Sequence, residues 1–217
     1  AANGAKVLHL RCVEYARRSG TPLRVRSSFT DSPGTLVTSA EELEGAAVEA
    51  PIISGVAHDL GEAKITIAGV RDEPGRAALV FEILATADIN IDMIVQNVSA
   101  AGITDITFTL PMSDGDKAMA VLRGNKNEIG YETVTYDDQV AKVSLVGAAM
   151  RSHPGVSATT FRALADAGIN VEMISTSETR LSHAVRAADV TRGVQAIHTA
   201  SALDADGHAD VHARTGR

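Results

Sequence analysis

The sequence predicts an α+β protein made of two copies of one β-α-β-β-α-β unit, and three observations carry that expectation. One stretch occurs twice. Lys64-Ile-Thr-Ile-Ala-Gly-Val70, Asp72-Glu-Pro-Gly75 and Ile89-Asn-Ile-Asp-Met-Ile94 are answered by Lys142-Val-Ser-Leu-Val-Gly-Ala148, Ser152-His-Pro-Gly155 and Ile169-Asn-Val-Glu-Met-Ile174. Gly75 and Gly155, Phe81 and Phe161, and Asn90 and Asn170 all stand 80 residues apart, the mark of a duplication. Within each copy a short apolar–polar alternation breaks at Pro-Gly and gives way to apolar residues every three or four positions, a change from strand period to helix period. After each asparagine a second strand opens, and a strand-helix-strand pattern follows it. A split β-α-β unit of this kind forms an antiparallel sheet with both helices on one face, leaving the other face to pair or to meet a partner.

The elements follow in chain order. Residues 6 to 19 set Val7, Leu8, Leu10, Val13, Tyr15 and Ala16 among Arg11, Glu14, Arg17 and Arg18, which suits a helix ended by Gly20. Leu23 to Phe29 alternates as a strand. That helix and strand cannot make a core alone and read as the last pieces of a larger domain. From Thr30 to Ala50 the chain is rich in Ser, Gly, Pro and acidic residues, with Ser32-Pro-Gly-Thr35 as a turn, and reads as a linker. Ile52 to Ala57 is strand-like and can complete the sheet of the second copy rather than the first. In the first copy Ala77, Val80, Phe81, Leu84 and Ala85 share one helix face; in the second, Thr159, Phe161, Leu164, Ala165 and Ile169 do. Ile103 to Leu110 is a half-buried strand stopped by Pro111, Asp114 can cap a helix from Asp116 to Arg123, and Tyr131 to Tyr136 returns as a strand. The second copy continues with a strand over Arg180 to Arg186, a helix over Asp189 to Ala200 and a polar, His-rich tail.

Composition narrows the function classes. The 217 residues are 45% hydrophobic but only 3% aromatic, so the core is aliphatic, and the repeat favours two small domains. A net charge of −7 without Lys/Arg clusters argues against a nucleic-acid surface. Cys12 is the single cysteine, which fits a reducing compartment and offers no disulfide framework. No apolar run approaches the ~20 residues that span a bilayer. The first six residues carry neither a signal-peptide pattern nor an initiator methionine, as expected of a cut chain. There is no nucleophile elbow, Walker loop or metal-spaced His pair in a structured segment. His198, His208 and His212 read as solvated, and His153 reads as a turn residue rather than a base.

What remains is the Pro-Gly turn and the Asn-Ile-Asp corner. The simplest reading is a helix start, with Pro74 at the first helical position and Asp72 as a cap. The recurrence of turn and corner in both copies favours a ligand site. We expect helix start and second-strand start to lie at one end of the sheet. Helix-start amides would then take a carboxylate and Asp72 and Asp92 an ammonium group, together describing an amino acid.

Gly4-Ala-Lys-Val-Leu-His-Leu-Arg11, Leu23-Arg-Val-Arg-Ser-Ser-Phe29, Ile91-Asp-Met-Ile-Val-Gln-Asn-Val-Ser99, Tyr136-Asp-Asp-Gln-Val140, Ser152-His-Pro-Gly-Val156 and Ile174-Ser-Thr-Ser-Glu178 resemble the C-terminal half of aspartate kinases of the actinobacterial, lysine- and threonine-sensitive type. The resemblance covers essentially the whole chain. It implies that residues 1–29 end an α/β amino-acid-kinase catalytic domain and that 30–50 are a linker. Two ferredoxin-like ACT domains follow over 51–138 and 139–203, with strand 51–58 available to the second, and 204–217 form a tail. Such enzymes phosphorylate the aspartate β-carboxylate with ATP and magnesium to 4-phospho-L-aspartate. This opens lysine, threonine and methionine synthesis in the cytoplasm, under feedback by lysine and threonine. The family's Lys-Phe-Gly-Gly motif is absent, so no catalytic residue is named, and the chain is expected to bind neither ATP nor metal and to be inactive alone.

By the same resemblance the effectors sit at ACT–ACT interfaces. The matching positions are Asp72, Arg76 and Ala77 at the first helix start, and Asn90, Ile91, Asp92 and Gln96 on the strand after it. In the second copy they are Val156, Ser157, Asn170, Val171, Ser177 and Glu178. The partners implied are lysine and/or threonine, a second copy through the ACT domains, and a catalytic subunit, with no nucleic acid or membrane. Thr179 and His183 depart from the family's aliphatic strand after Glu178. A stand-alone amino-acid-sensing module for another enzyme, or a purely structural dimerisation domain, are the competing readings.

Overall fold

The structure, a computed structural model, describes residues 7–38, 53–98, 102–147 and 155–204. The predicted turn residues Ser152, His153 and Pro154, linker residues 39–50, Ile52 at the start of the expected strand, and the tail histidines His208 and His212 lie outside the described residues.

Helix α1 (Leu10–Ser19) ends where Gly20 turns left-handed at φ 59° and donates to Ala16 and Arg17 carbonyls. It starts four residues later than its apolar pattern suggested. Strand β1 (Leu23–Val25) stops short of Phe29, because the chain reverses and β2 (Thr35–Val37) pairs back onto it. The linker thus contributes a hairpin strand that its Ser/Pro/Gly composition hid. No residue of α1 is buried, and Phe29 is 94% exposed, so these pieces lie outside both cores.

The first domain is continuous in sequence: β4 (Glu62–Arg71), α2 (Arg76–Thr86), β5 (Ile94–Val98), β6 (Ile103–Pro111), α3 (Gly115–Gly124), a short α4 (Lys126–Ile129) and β7 (Thr133–Asp137). Its sheet order is β5-β6-β4-β7, antiparallel throughout. Asp114 precedes α3 without a side-chain capping bond, a short 3-10 turn over Met112–Asp114 having replaced the expected cap. In β4 the register slips between Ile67 and Val70, where Gly69 takes φ 74°; a Cβ there would sit 2.5 Å from Glu132 Cγ.

The second domain is not continuous. Strand β8 (Val140–Gly147), α5 (Val156–Asp166), β9 (Met173–Thr176), β10 (Arg180–Arg186) and α6 (Val190–Ala200) supply five of its six elements. The sixth, the strand beside β8, is β3 (Ile53–Asp59), which precedes the entire first domain. The order β3-β8-β10-β9 repeats that of the first sheet, with β3 standing where β7 stands. Of the strand-like stretch 52–57, which the sequence left available to the second copy, the described residues from Ile53 onward pair with that copy's β8. The edge of β8 needs partners for its backbone groups, and the upstream strand β3 supplies them.

Each domain packs its helices on one sheet face. Ile65, Ile67, Ile106, Phe108 and Leu110 meet Val80 and Leu84 of α2 and Ala118 and Leu122 of α3. In the second, Val143, Leu145, Leu181 and Val185 meet Leu164 of α5 and Val194 and Ile197 of α6. Full burial of such a side chain contributes about 1.5–3 kcal/mol, so this layering fixes the face of every strand. Ala85, Thr159 and Ala165, placed on the core stripe by sequence, are exposed, whereas Thr160 is buried with its hydroxyl donated to the Val156 carbonyl.

The helix-free faces carry Glu62, Lys64 and Thr66 in one sheet and Lys142 and Ser144 in the other, alternating with the core residues. These faces meet. Met93 and Met173, equivalent in the two copies, pack together with Ala184 between the domains. Two short connections join the sheets, and each turns on an aspartate. Gly61 N–H donates to Asp59 Oδ1 and Gln139 N–H to Asp137 Oδ1, both at 2.9 Å.

Candidate functional site

The two helix starts are alike. Gly75 and Gly155 precede their helices at φ 94° and 103°, a region that favours glycine, and neither helix has a side-chain cap. Pro74 therefore lies before the cap rather than inside the helix, and Asp72 does not cap. The Asp72 N–H donates to the Gly102 carbonyl and its side chain is exposed. Arg76 turns its guanidinium to Glu73 at 3.0 Å and to the Glu128 carbonyl at 3.4 Å. Ala77 packs on the first core; Val156 packs on the second, with Ser157 exposed beside it. In the first helix the Arg76 N–H donates to the Glu73 carbonyl at 3.2 Å, and no side chain caps the amides that follow in either helix, an arrangement suited to a carboxylate.

The strand starts are alike too. Asn90 and Asn170 are exposed, while Ile91 and Val171 pack on their own cores. Asp92 N–H then donates to the Thr109 carbonyl and Glu172 N–H to that of Ala184.

Helix start and strand start do not share an end of the sheet. Asp72 bonds Gly102 and Asp92 bonds Thr109, and these two lie seven residues apart along β6, about 23 Å at ~3.3 Å per residue. The reason is the topology. Strands β4 and β5 both run antiparallel to β6, so α2 must run back along the sheet before β5 can begin. The expected Asp72–Asp92 corner within one domain is thus overturned, and the sequence-matched residues divide into two groups at opposite ends of each sheet. Gln96, opposite Ile106 on edge strand β5, lies between them. Ser177 and Glu178 form the exposed β9–β10 turn, where Ser177 N–H donates to the Arg180 carbonyl at 2.7 Å. Gly147 N–H reaches Thr179 at the same end, so this turn stands with the Val156–Ser157 helix start.

Asp92 is already engaged. Its carboxylate accepts from Lys142 Nζ at 2.6 Å and lies 3.4 Å from Arg180 Nη2 across the domain boundary. Partial burial works to raise its pKa, but hydrogen bonding and charge from Lys142 and Arg180 outweigh burial and hold it below the usual carboxylate value. Glu172 shows the same balance, burial opposed by Lys64 and Arg186, with the same net direction. Asp137 joins them through Arg186 at 2.6 Å and is likewise held low against burial. Lys142, buried beside Glu62 Oε1 at 2.5 Å, is pushed down by burial and up by Asp92 and Glu62, and its pKa ends raised.

Sequence reasoning did not find Glu62, Lys64, Asp137, Lys142, Arg180 or Arg186. The available signal was repetition: Lys64 and Lys142 take the same place in equivalent strands, and an acid follows each Asn-Ile or Asn-Val pair.

Comparison with known proteins agrees with this architecture. The profile of the ACT domain family matches residues 65–125 and 143–200. The regulatory subunit of aspartate kinase from Thermus thermophilus, solved ligand-free, superposes with a TM-score of 0.66 at 39% identity, over 69% of this chain and 98% of that one. The chain belongs to the aspartokinase family, as an ACT-domain regulatory region. The aspartokinase of Mycolicibacterium smegmatis is 52% identical over all of this chain, which spans 52% of that protein. The chain therefore covers about half the length of the aspartokinases it matches. E. coli aspartokinase III in complex with lysine and aspartate, described as its T-state, matches 92% of this chain and 43% of its own at 26% identity and a TM-score of 0.68. Among the described residues no helix is long and apolar enough to cross a membrane.

Proposed function

We propose that this chain is the effector-sensing part of an aspartate kinase. It binds lysine and/or threonine between paired ACT domains, and so restrains the ATP-dependent phosphorylation of aspartate that leads to lysine, threonine and methionine. The observation that carries the reading is the division of each domain into two half-sites at opposite ends of a sheet whose outer edge is bare. Strands β5 and β9 are those edges, with Ile94 48% and Ile174 45% exposed at equivalent positions. Unpaired edges of this kind are covered by other chains or by partners. Antiparallel pairing of β5 with β9 of a second copy sets the Gly75–Arg76–Ala77 helix start beside Asn170–Val171. The same pairing sets Val156–Ser157 and Ser177–Glu178 beside Asn90–Ile91. Each composite site then offers helix-start amides to a ligand carboxylate and a strand corner to its ammonium group.

Asp92 serves in this reading by shaping its corner, since its carboxylate is held by Lys142 and Arg180. No group of three His, Cys, Asp or Glu among the described residues could hold a metal ion, and we assign the ATP and magnesium of the reaction to the catalytic half. Helix α1 and its hairpin, with Leu10, Tyr15 and Phe29 exposed, suit pieces of that half.

Calorimetric titration of the purified chain with lysine and with threonine tests the reading. Saturable binding of at least one, by a dimer, is expected, with Asn170→Ala weakening it at least tenfold. The chain alone should form no aspartyl hydroxamate from ATP, aspartate and hydroxylamine. A folded chain that binds neither amino acid overturns the proposal.

A further inference from the structure

Each strand corner ends on an acid that belongs to one domain and is held by a lysine that belongs to the other. Lys142 of β8 reaches Asp92 of the first domain, and Lys64 of β4 forms an ion pair with Glu172 of the second. The arrangement is reciprocal, because Lys64 and Lys142 are the third residues of equivalent strands and Asp92 and Glu172 close equivalent corners. We infer that Lys64 and Lys142 are positioning residues for ligand binding, each fixing the corner of the opposite domain from across the interface. The inference rests on the effector-sensing reading above, in which Asn90–Ile91 and Asn170–Val171 contact the ligand.

Three features show that these pairs hold the corners rather than decorate a surface. Lys142 is buried and wedged between Glu62 and Asp92, so its ammonium cannot leave without exposing two carboxylates to each other. Glu172 is gripped twice, by Lys64 and by Arg186, and Arg186 also holds Asp137 at the start of the β7–β8 connection. Met93 and Met173, the residues next after the two acids, pack against each other's side of the interface with Ala184. A corner is tied to its own sheet by backbone bonds, Asp92 N–H to the Thr109 carbonyl and Thr109 N–H to the Met93 carbonyl in the first domain and Glu172 N–H to the Ala184 carbonyl in the second, and to the opposite sheet by the acid's bond to the lysine there, Glu172 being held from its own sheet by Arg186 as well. Any shift of Asn170–Val171 on ligand binding must move Glu172 against Lys64, and Lys64 lies in the domain that owns the other corner. Through the reciprocal pair the converse holds, so the two corners exchange the same coupling free energy in both directions.

The test uses the whole chain and the variants Lys64→Met and Lys64→Arg. Lys64 is partly exposed, so its removal spares the buried Lys142 pair. In the absence of ligand, Lys64→Met should speed hydrogen exchange of the Glu172 amide, in the other domain, at least tenfold, while the Asp92 amide stays within twofold. Lys64→Arg should restore protection. In titrations, Lys64→Met should weaken lysine or threonine at the composite site that includes Asn170 at least fivefold, and Lys64→Arg should recover most of the loss. Unchanged exchange at Glu172, or equal acceleration at Asp92 and Glu172 with a lowered Tm, overturns the positioning role. So does wild-type affinity in a folded Lys64→Met chain. If the wild type binds neither amino acid, the effector reading fails by itself, and the ligand-free exchange comparison still decides whether Lys64 pins the corner.

Discussion

Replacing His183 by phenylalanine should stabilise the second domain and remove most of its acid sensitivity between pH 6.5 and 4. His183 lies on β10 opposite Val143 and is fully buried on the helix-covered face, where neither ring nitrogen has a partner in hydrogen-bonding geometry. Phe161 meets it edge-on at 5.1 Å. The first domain has Phe108 at this place, opposite Ile65 and edge-on to Phe81 at 6.0 Å, so the fold accepts an aromatic ring there. Burial pushes the imidazole pKa from 6.5 down to about 4, the Val143 backbone pulling weakly the other way. Between those values the unfolded chain binds the proton and the folded chain does not, so stability falls as the pH falls through this window. At ~1.4 kcal/mol per pH unit the full loss is about 3 kcal/mol, and about 2 kcal/mol is already lost at pH 5. His183→Phe removes that slope. At pH 7.5 it also removes a buried, unbonded donor worth ~1–3 kcal/mol, less whatever the larger ring costs in packing. Urea unfolding of both proteins at pH 7.5 and pH 5 measures both effects. Equal pH slopes in the two proteins would refute the assignment of this acid limb to His183.

Other substitutions probe the backbone and the interface. Asp88 ends α2 at φ 54° where the second copy has Gly168, so Asp88→Gly should raise stability by roughly 0.5–1 kcal/mol, seen as a Tm increase of a few degrees. Gly69→Ala should cost about 1–2 kcal/mol, because a Cβ meets both a left-handed φ and the Glu132 side chain; an unchanged urea midpoint would contradict the strain. Lys142→Met leaves Glu62 and Asp92 facing each other and should cost ~3–5 kcal/mol, with Lys142→Met/Glu62→Gln/Asp92→Asn recovering most of it in the same unfolding assay. Asp92, Asp137 and Glu172 have folded pKa values below their ordinary 3.8 and 4.5. Their contribution is complete above about pH 4.5 and disappears as the pH falls further, so His183→Phe should leave only this lower acid limb.

The duplication, the strands Ile103–Pro111 and Arg180–Arg186 and the helix ending at Ala200 were legible in the sequence because each depends on local periodicity. The helix starts were placed within a residue or two by Pro-Gly, but their capping was misread. The cap position belongs to Gly75 at a left-handed φ, which has no side chain to accept the first-turn amides as Asp72 was expected to do. Local pattern also put Ala85, Thr159 and Ala165 on the core stripe, which is wider in pattern than the contact the sheet makes. The hairpin strand Thr35–Val37 escaped because three residues carry no period.

The sequence by itself determined that one β-α-β-β-α-β plan is used twice, with an aliphatic core and a repeated turn and corner, since every such feature is written within about ten neighbouring residues. Only the tertiary structure decided which strands pair and which ends meet. Strand β3 serves the second sheet across the whole intervening first domain, a pairing the sequence left open and the backbone groups of the β8 edge decide. The helix start and strand corner of one domain stand at opposite ends of their sheet, because a helix must run back between two parallel strands. Lys64 and Lys142 find their acids in the opposite copy, because the helix-free faces become an interface only when the two sheets meet, and a charge on a strand does not state which surface will cover it.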